Sequence, residues 1–260
     1  MNSIGKPERE SQNRIIQLFQ NELEYQYLGN WQEEERILPI EEGLLHNYLI
    51  GKGYSENLAS KAISKLYAVA SNISQGLYEA NKGVYKFLRY GVPLREELGK
   101  PKETVWLINW ENPEENDFAI AEEVTVKGKY DKRPDVVIYV NGIALGVLEL
   151  KSSRKGLEFG IRQNLDNQKN EFIPKFFTSM QLVLAGNDTQ GLRYGTIETP
   201  EKYYLNWKEE SSKEFDYTID RDLFLLFQKD RFLELIHDFV VFDKGVKKLC
   251  RPNQYFGIKI

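Results

Sequence analysis

The segment RPDVVIYVNGIALGVLELK, at positions 133–151, constrains the fold more than any other part of the chain. Two runs rich in β-branched residues flank Asn141-Gly142, a dipeptide that strongly favours a tight β-hairpin turn. Most of the side chains are apolar, which predicts a buried hairpin. Charges lie only near its ends, where Asp135 opens the first strand and Glu149 and Lys151 close the second.

The register of this hairpin decides whether its two acids can meet. Glu149 and Lys151 are two residues apart, so they share one face of their strand. A strict two-residue turn would pair Asp135 with Leu148 and leave Glu149 on the opposite face from Asp135. Bringing both acids to one face requires one extra residue, in the turn or as a β-bulge. Gly146 is the predicted site of the bulge.

The three charges at the hairpin ends suit phosphodiester hydrolysis. Two carboxylates at the end of a buried strand pair repel each other and are costly unless they are neutralised. Mg²⁺ can neutralise them, because it typically binds one or two carboxylates together with water and substrate phosphate. Lys151, on the same face as Glu149, would orient the water or stabilise developing charge. The alternative is a set of strand-end charges that reach solvent, with Lys151 bridging Glu149.

The remaining sequence predicts an α/β domain. Apolar residues have helical spacing in residues 7–27 and in two or three helices between residues 41 and 90, and 91–103 are predicted to be a loop. Helices are also predicted at 156–172 and 221–242. Short β-rich runs outside the hairpin predict strands at 103–110, 117–126, 180–186 and 191–198. A sheet flanked by helices follows from this order.

Composition excludes several classes of function. The single cysteine, Cys250, rules out an internal disulfide or a cysteine-rich zinc site. The two histidines, His46 and His237, are far apart in sequence, which disfavours histidine-based catalysis. A polar N-terminus and the lack of long apolar runs predict a cytoplasmic protein with no membrane partner. The net charge is −4, yet residues 127–175 hold ten basic and six acidic residues, which favours a phosphate-rich partner.

Together these residues resemble the PD-(D/E)xK nuclease motif, with Pro134-Asp135 and Glu149-Leu150-Lys151 as its elements. The surrounding sequence is similar to the N-terminal nuclease region of the R subunit, the restriction and motor subunit, of type I restriction-modification enzymes. Ile173-Pro174, Gly195-Thr196 and Trp207 continue the likeness, which is strongest from 117 to 208. It implies a restriction-endonuclease-like mixed sheet flanked by helices, with a helical N-terminal region.

The resemblance also implies roles for particular residues. Asp135 and Glu149 would ligate Mg²⁺, and Lys151 would be catalytic. An acid on the first helix would complete the metal site, with Glu8 as the better match and Glu10 as the second. For either, the ordinary alternative is an acid that stabilises a helix N-terminus.

A Gln-x-x-x-Tyr element follows the nuclease strands in this family. Here Gln163 matches the glutamine and is a catalytic candidate, but Asn167 stands where the tyrosine would be. Asn167 lies one helical turn from Gln163 and could still reach DNA. DNA phosphates could be bound by a further set of cations, Arg154, Lys155, Arg162 and Lys169, although a solvated charge is the ordinary explanation for any one of them.

The C-terminal residues resemble the lead-in to the family's helicase-like motor. Arg251, Pro252 and Gln254 fall where such motors place an adenine-binding glutamine, so Gln254 is the cofactor-binding candidate. No GxxxxGK[ST] loop occurs, and the chain is expected to be a fragment whose ATP use belongs to the full-length protein. The acidic stretch 208–216 suggests a nuclease domain at 1–210 and a helical linker at 211–260.

The resulting hypothesis is a Mg²⁺-dependent DNA endonuclease domain of a type I restriction enzyme R subunit. It would hydrolyse unmodified foreign duplex DNA, with the methyltransferase (M) and specificity (S) subunits as partners. Two alternatives stay open at this point. One is a nuclease-fold module that guides DNA or assembles the complex without cleaving alone, and the other is a stand-alone repair nuclease.

Overall fold

The protein is built around a six-stranded mixed sheet, seen in a computed structural model that describes residues 8–258. The strands, in chain order, are β1 (Gln26–Asn30), β2 (Val92–Leu94), β3 (Glu103–Val105), β4 (Phe118–Glu122), β5 (Val136–Val140), β6 (Ile143–Leu150), β7 (Leu182–Asn187), β8 (Gly191–Gly195), β9 (Val240–Asp243) and β10 (Val246–Leu249). The main sheet has the order β1-β4-β5-β6-β7-β8, while β2 with β3 and β9 with β10 form separate pairs.

Helices cover both faces of this sheet. They are α1 (Glu8–Asn21), α2 (Glu42–Gly51), α3 (Glu56–Ser71), α4 (Leu77–Tyr90), α5 (Leu157–Asn167), α6 (Thr218–Leu226), α7 (Lys229–Asp238) and α8 (Pro252–Ile258). Within the sheet β1 runs parallel to β4 and β6 parallel to β7, and the other neighbours are antiparallel. The predicted fold class, a mixed sheet flanked by helices, is confirmed.

The central hairpin contains the predicted bulge. Asn141 and Gly142 both have positive φ, at 52° and 77°, as a tight two-residue turn requires. Tyr139 pairs with Ala144, whereas Ile138 pairs with Gly146, so Leu145 is the extra residue. The predicted extra residue is therefore confirmed, but it is Leu145 and not Gly146, which stays paired with Ile138.

Two apolar layers form on the two faces of the sheet. On one face Ile138 and Leu148 belong to the larger core, which includes side chains from α1, α3, α6 and α7. On the other face Val137 and Val147 belong to a smaller core with α5 and the 3₁₀ turn Pro174–Phe177. Side chains alternate along a strand, so Asp135 and Glu149 lie on the α5 face, at the end of the sheet.

Several predicted boundaries were wrong, because pairing partners distant in sequence decide them. The helix predicted at 7–27 ends at Asn21, and Gln26–Asn30 instead pairs with β4. The helix predicted at 221–242 gives way to β9, since Lys244 and Gly245 turn the chain into a hairpin at φ of 47° and 81°. The helix predicted at 156–172 ends at Asn167.

One strand prediction and one loop prediction also need correction. The run predicted as a strand at 103–110 is extended only over Glu103–Val105, and its partner β2 lies within the predicted loop 91–103. Each of these short strands is stabilised by its hydrogen bonds to the other, and the local sequence pattern does not indicate that pairing.

The C-terminal segment packs on the main core. Phe227, at the end of α6, lies 5.3 Å from Phe19 of α1 between ring centroids, and Leu223 is buried in the same cluster. A division of the chain at 210/211 stays a prediction. Of the helices within residues 8–258, none combines the length and the apolar character needed to cross a membrane.

Candidate active site

Asp135 and Glu149 form an acidic pair at the end of the β5–β6 hairpin. Beyond the bulge, Val136 pairs with Leu148, and continuing that register sets Asp135 beside Glu149. The two carboxyl groups lie close enough for each to shift the pKa of the other. Glu149 is fully buried, whereas Asp135 keeps partial access to solvent. The pair therefore lies at the edge of the core rather than on the open surface.

Burial and mutual repulsion disfavour the negative charge of this pair. Burial raises the pKa of Asp135 to about 6, against the effect of nearby Lys151. Burial, followed by the charge of Asp135, raises the pKa of Glu149 well above its ordinary value. The pair thus retains a proton in the absence of a cation, and a bound cation would take the place of that proton.

Lys151 faces the acidic pair. Its Nζ lies 3.7 Å from Glu149 Oε2 and donates to the Leu150 carbonyl oxygen at 2.7 Å. The Leu150 amide in turn donates to Asp135 Oδ2 at 2.6 Å. Because Lys151 is nearly buried, its charge acts in a low-dielectric environment, where it is stronger than in water.

Glu8, but not Glu10, approaches this group of charges. Glu8 Oε1 lies 3.9 Å from Lys151 Nζ, and its Oε2 accepts a hydrogen bond from the Ser152 amide at 3.2 Å. Two positions along a helix turn the side chain by about 200°, so Glu10 lies on another side of α1 and is exposed. A metal-ligating role for Glu8 stays a prediction.

Helix α5 covers Glu149 with two amide side chains. Gln163 Nε2 donates to Glu149 Oε2 at 2.6 Å, and Asn167 Nδ2 is 3.4 Å from Glu149 Oε1. Gly160 permits this approach, since a Cβ there would lie 3.0 Å from the Ala185 Cβ. Asn167 is fully buried, so it faces the acid and does not reach the surface where DNA would lie.

Sequence reasoning missed Gln12, one helical turn beyond Glu8 on α1. Gln12 Nε2 donates to Glu122 Oε2 at 2.8 Å and to the Asp135 carbonyl oxygen at 3.3 Å. Burial opposes ionisation of Glu122, but hydrogen bonds from Tyr27 and then Arg9 lower its pKa. The spacing of four residues from Glu8 was the one local signal that Gln12 shares its side of the helix.

A second missed residue, Arg14, holds α1 in this position. Its Nη2 donates to Asp188 Oδ1 at 2.5 Å, and its Nε donates to Asp220 Oδ2 at 2.7 Å. Asp188 follows β7 and Asp220 lies in the first turn of α6. The helix that carries Glu8 and Gln12 is thereby fixed to two other elements.

Three of the other candidates are engaged elsewhere. Gln254 lies exposed on α8, where its Oε1 accepts from the Arg251 amide at 2.8 Å. Arg162 pairs with Glu201 at 2.7 Å, and Lys169 pairs with Asp166 at 2.6 Å. An adenine-binding role for Gln254 stays a prediction.

The donor set of the site fits Mg²⁺ better than a metal that requires a full protein cage. Within residues 8–258 no three His, Cys, Asp or Glu side chains are arranged to hold a metal ion. Mg²⁺ often binds through one or two carboxylates and keeps several waters. Asp135 and Glu149 supply such a pair, and burial together with their mutual repulsion disfavours their negative charge unless a cation neutralises it.

Comparisons with known proteins identify the family of this chain. The family model described as the type I restriction enzyme R protein N terminus matches residues 6–202. The type I restriction enzyme HindI endonuclease subunit of Haemophilus influenzae is 29% identical over 219 residues, which cover 77% of this chain and 21% of that protein. A Methanocaldococcus jannaschii protein, provisionally named as the type I restriction enzyme MjaIXP endonuclease subunit, is 24% identical over 229 residues, or 78% of this chain and 22% of that protein. The chain thus spans about a fifth of the length of these relatives.

Proposed function

Because this chain belongs to the family of type I restriction enzyme R protein N termini, we propose that it is the Mg²⁺-dependent DNA endonuclease domain of such an enzyme. The observation that carries the proposal is the acidic pair of Asp135 and Glu149, brought to one face by the Leu145 bulge with Lys151 beside it. Those three side chains meet the chemical demands of phosphodiester hydrolysis.

Asp135 and Glu149 would hold the ion, which when bound supplies a Lewis acid for the phosphate and lowers the pKa of a bound water. Gln163 and Asn167 orient Glu149, so that its oxygens keep one direction when its proton is lost. Lys151 is placed to donate to a phosphate oxygen and to stabilise charge that develops there. Gln12 fixes the start of β5 through the Asp135 carbonyl.

The proposal extends to the complete enzyme. Its substrate would be unmodified foreign duplex DNA in the cytoplasm, and its partners would be the methyltransferase and specificity subunits. ATP would serve a motor that lies outside this chain. The names of the relatives, which are endonuclease subunits of type I restriction enzymes, support a role as one subunit's nuclease within a larger enzyme.

Cleavage and metal binding test the proposal together. Wild type should nick supercoiled plasmid with MgCl₂ and not with EDTA, whereas Asp135→Ala and Lys151→Met should lower the rate by at least a hundredfold, as loss of key catalytic groups does. Glu158→Gln, an acid in the first turn of α5, is the matched control and should cleave like wild type. Calorimetric titration should detect Mg²⁺ or Mn²⁺ binding by wild type and not by Asp135→Ala. Absence of metal binding by wild type would refute the endonuclease proposal and favour a DNA-guiding module.

A further inference from the structure

Two loops leave the sheet at the end that carries the acidic pair, and both are rich in cations. Residues 127–133, here the basic loop, precede β5 and end two residues before Asp135. Residues 152–156, here the exit loop, follow Lys151 directly. The cations of these loops are Lys127, Lys129, Lys132 and Arg133 in the first, and Arg154 and Lys155 in the second.

The two loops lie to either side of the acidic pair across the sheet. The basic loop is joined to the segment after β4, because Lys132 and Val126 exchange backbone hydrogen bonds of 3.0 and 2.8 Å. The exit loop lies toward β7, since Asn187 Nδ2 donates to the Lys155 carbonyl oxygen at 2.9 Å. With the strand order β4-β5-β6-β7, the hairpin acids lie between the loops.

Two cations of the basic loop are already neutralised by carboxylates. Lys127 Nζ lies 2.6 Å from Asp131, and Arg133 Nε lies 2.8 Å from Glu123. To bind a phosphate, each of these side chains would have to give up its carboxylate partner. That loss offsets most of the favourable free energy of pairing with the phosphate.

The other four cations are different. Among residues 8–258, no carboxylate lies within 4.0 Å of the charged nitrogens of Lys129, Lys132, Arg154 and Lys155. Lys129, Arg154 and Lys155 are exposed, and Lys132 is half-buried over the ring of Phe172, 4.1 Å from its centroid. Four cations that have no carboxylate partner therefore lie in the two loops that flank the acidic pair in the strand order.

The backbone of the basic loop packs on the segment that follows α5. The Tyr130 amide donates to the Glu171 carbonyl oxygen at 3.1 Å, and a Cβ at Gly128 would lie 2.0 Å from the Phe172 carbonyl oxygen. Because these contacts order the backbone that carries Lys129 and Lys132, less backbone entropy is lost when a ligand binds.

We propose that Lys129 and Lys132 on one side of the acidic pair, and Arg154 and Lys155 on the other, bind the phosphates of duplex DNA that flank the cleaved bond. The inference rests on the proposed function and deepens it by naming the residues that seat the substrate. Duplex DNA is the ligand because its backbone presents a dense row of negative charge, which matches cations spread on both sides of one site. Contacts of this kind carry no sequence information, so this surface would bind duplexes of any sequence.

Salt dependence of binding tests the four cations directly. Binding of a fluorescent duplex of about 30 base pairs, long enough to cover the surface of one such domain, is measured by anisotropy in EDTA across a salt series. A quadruple variant carries Lys129→Gln, Lys132→Gln, Arg154→Gln and Lys155→Gln. A control variant of equal net charge removes four ion-paired cations instead, with Arg162→Gln, Lys169→Gln, Lys100→Gln and Lys248→Gln.

The slope of log K against log salt is negative, and its magnitude should decrease by about three to four in the quadruple variant, since each phosphate contact contributes roughly 0.9. The control should keep the slope of wild type to within about one. The two double variants, one for each loop, should each lose about half of the effect, which guards against misfolding of the quadruple variant. Equal slopes in the quadruple and control variants would overturn the proposal.

Plasmid cleavage by wild type separates this inference from the proposed function. If wild type cleaves with Mg²⁺ and the quadruple variant keeps the slope of wild type, the nuclease function is supported and the phosphate-binding surface is refuted. If the slope depends on the four cations but wild type neither cleaves DNA nor binds metal, the phosphate-binding surface is supported and the nuclease function is refuted.

Discussion

Replacing Asp135 with asparagine should stabilise the metal-free protein above about pH 6. In the native state the pKa of Asp135 is raised from 3.8 to about 6. Between these two values the native state binds more protons than the unfolded state, so the free energy of unfolding decreases as the pH rises. That contribution is intact below about pH 4 and lost above about pH 6, whereas asparagine does not titrate.

The size of the effect follows from the same shift. A change in pKa from 3.8 to about 6 corresponds to about 3 kcal/mol at a pH above both values. Asparagine keeps an oxygen that accepts from the Leu150 amide, which donates to Asp135 Oδ2 at 2.6 Å, so little packing is lost. For a chain of this size, 3 kcal/mol corresponds to a rise in Tm of about 6–12 °C.

Thermal and urea unfolding in EDTA, over a pH series from about 4 to 8, measure this difference. Asp135→Asn should match wild type near pH 4 and exceed it near pH 8, by up to about 3 kcal/mol. Asp131→Asn, which replaces an exposed acid paired with Lys127, is the control and should not show this gain in stability at high pH. Saturating Mg²⁺ should narrow the gap, because it stabilises only the wild type. An Asp135→Asn protein less stable than wild type near pH 8 would show that the reasoning is wrong.

Three further substitutions test other parts of the structure. Gly128→Ala should destabilise the fold by about 1–3 kcal/mol in urea unfolding, because its Cβ would meet the Phe172 carbonyl oxygen. Gln163→Ala should weaken Mg²⁺ binding or cleavage by about ten- to a hundredfold, since Gln163 orients Glu149; full metal affinity and activity would contradict this role. Burial holds the pKa of Lys247 well below its ordinary value, so wild-type stability should rise with pH toward 10.5, and Lys247→Met should remove that rise in urea unfolding at alkaline pH.

The central hairpin could be predicted because its information is local. Asn141-Gly142 sets the turn, and counting residues along two strands shows that the acids meet only if one residue is inserted. The prediction was one residue from the observed position. Gly146 stays paired with Ile138, and Leu145 is the unpaired residue. Glycine suits the paired position because a Cβ there would lie only 3.2 Å from the Ile138 side chain.

The parts that could not be predicted depend on contacts between distant segments. Strand β1 is short and half exposed, and its extended conformation follows from pairing with β4, nearly a hundred residues away. Gln12 and Asn167 look like ordinary polar residues of amphipathic helices. Their hydrogen bonds to Glu122 and Glu149 appear only once α1 and α5 are packed on the sheet.

Because of the inserted Leu145, the active site depends on the number of residues between the hairpin turn and Glu149, which decides the face of the sheet on which Glu149 lies. If Leu145 were deleted, the hairpin could still form all of its backbone hydrogen bonds, and its apolar residues would stay largely buried. Glu149 and Lys151 would then turn to the opposite side of the sheet from Asp135. Inactivation by such a deletion would therefore go unseen by measurements of secondary structure, and relatives that lack this residue should have lost or relocated their chemistry.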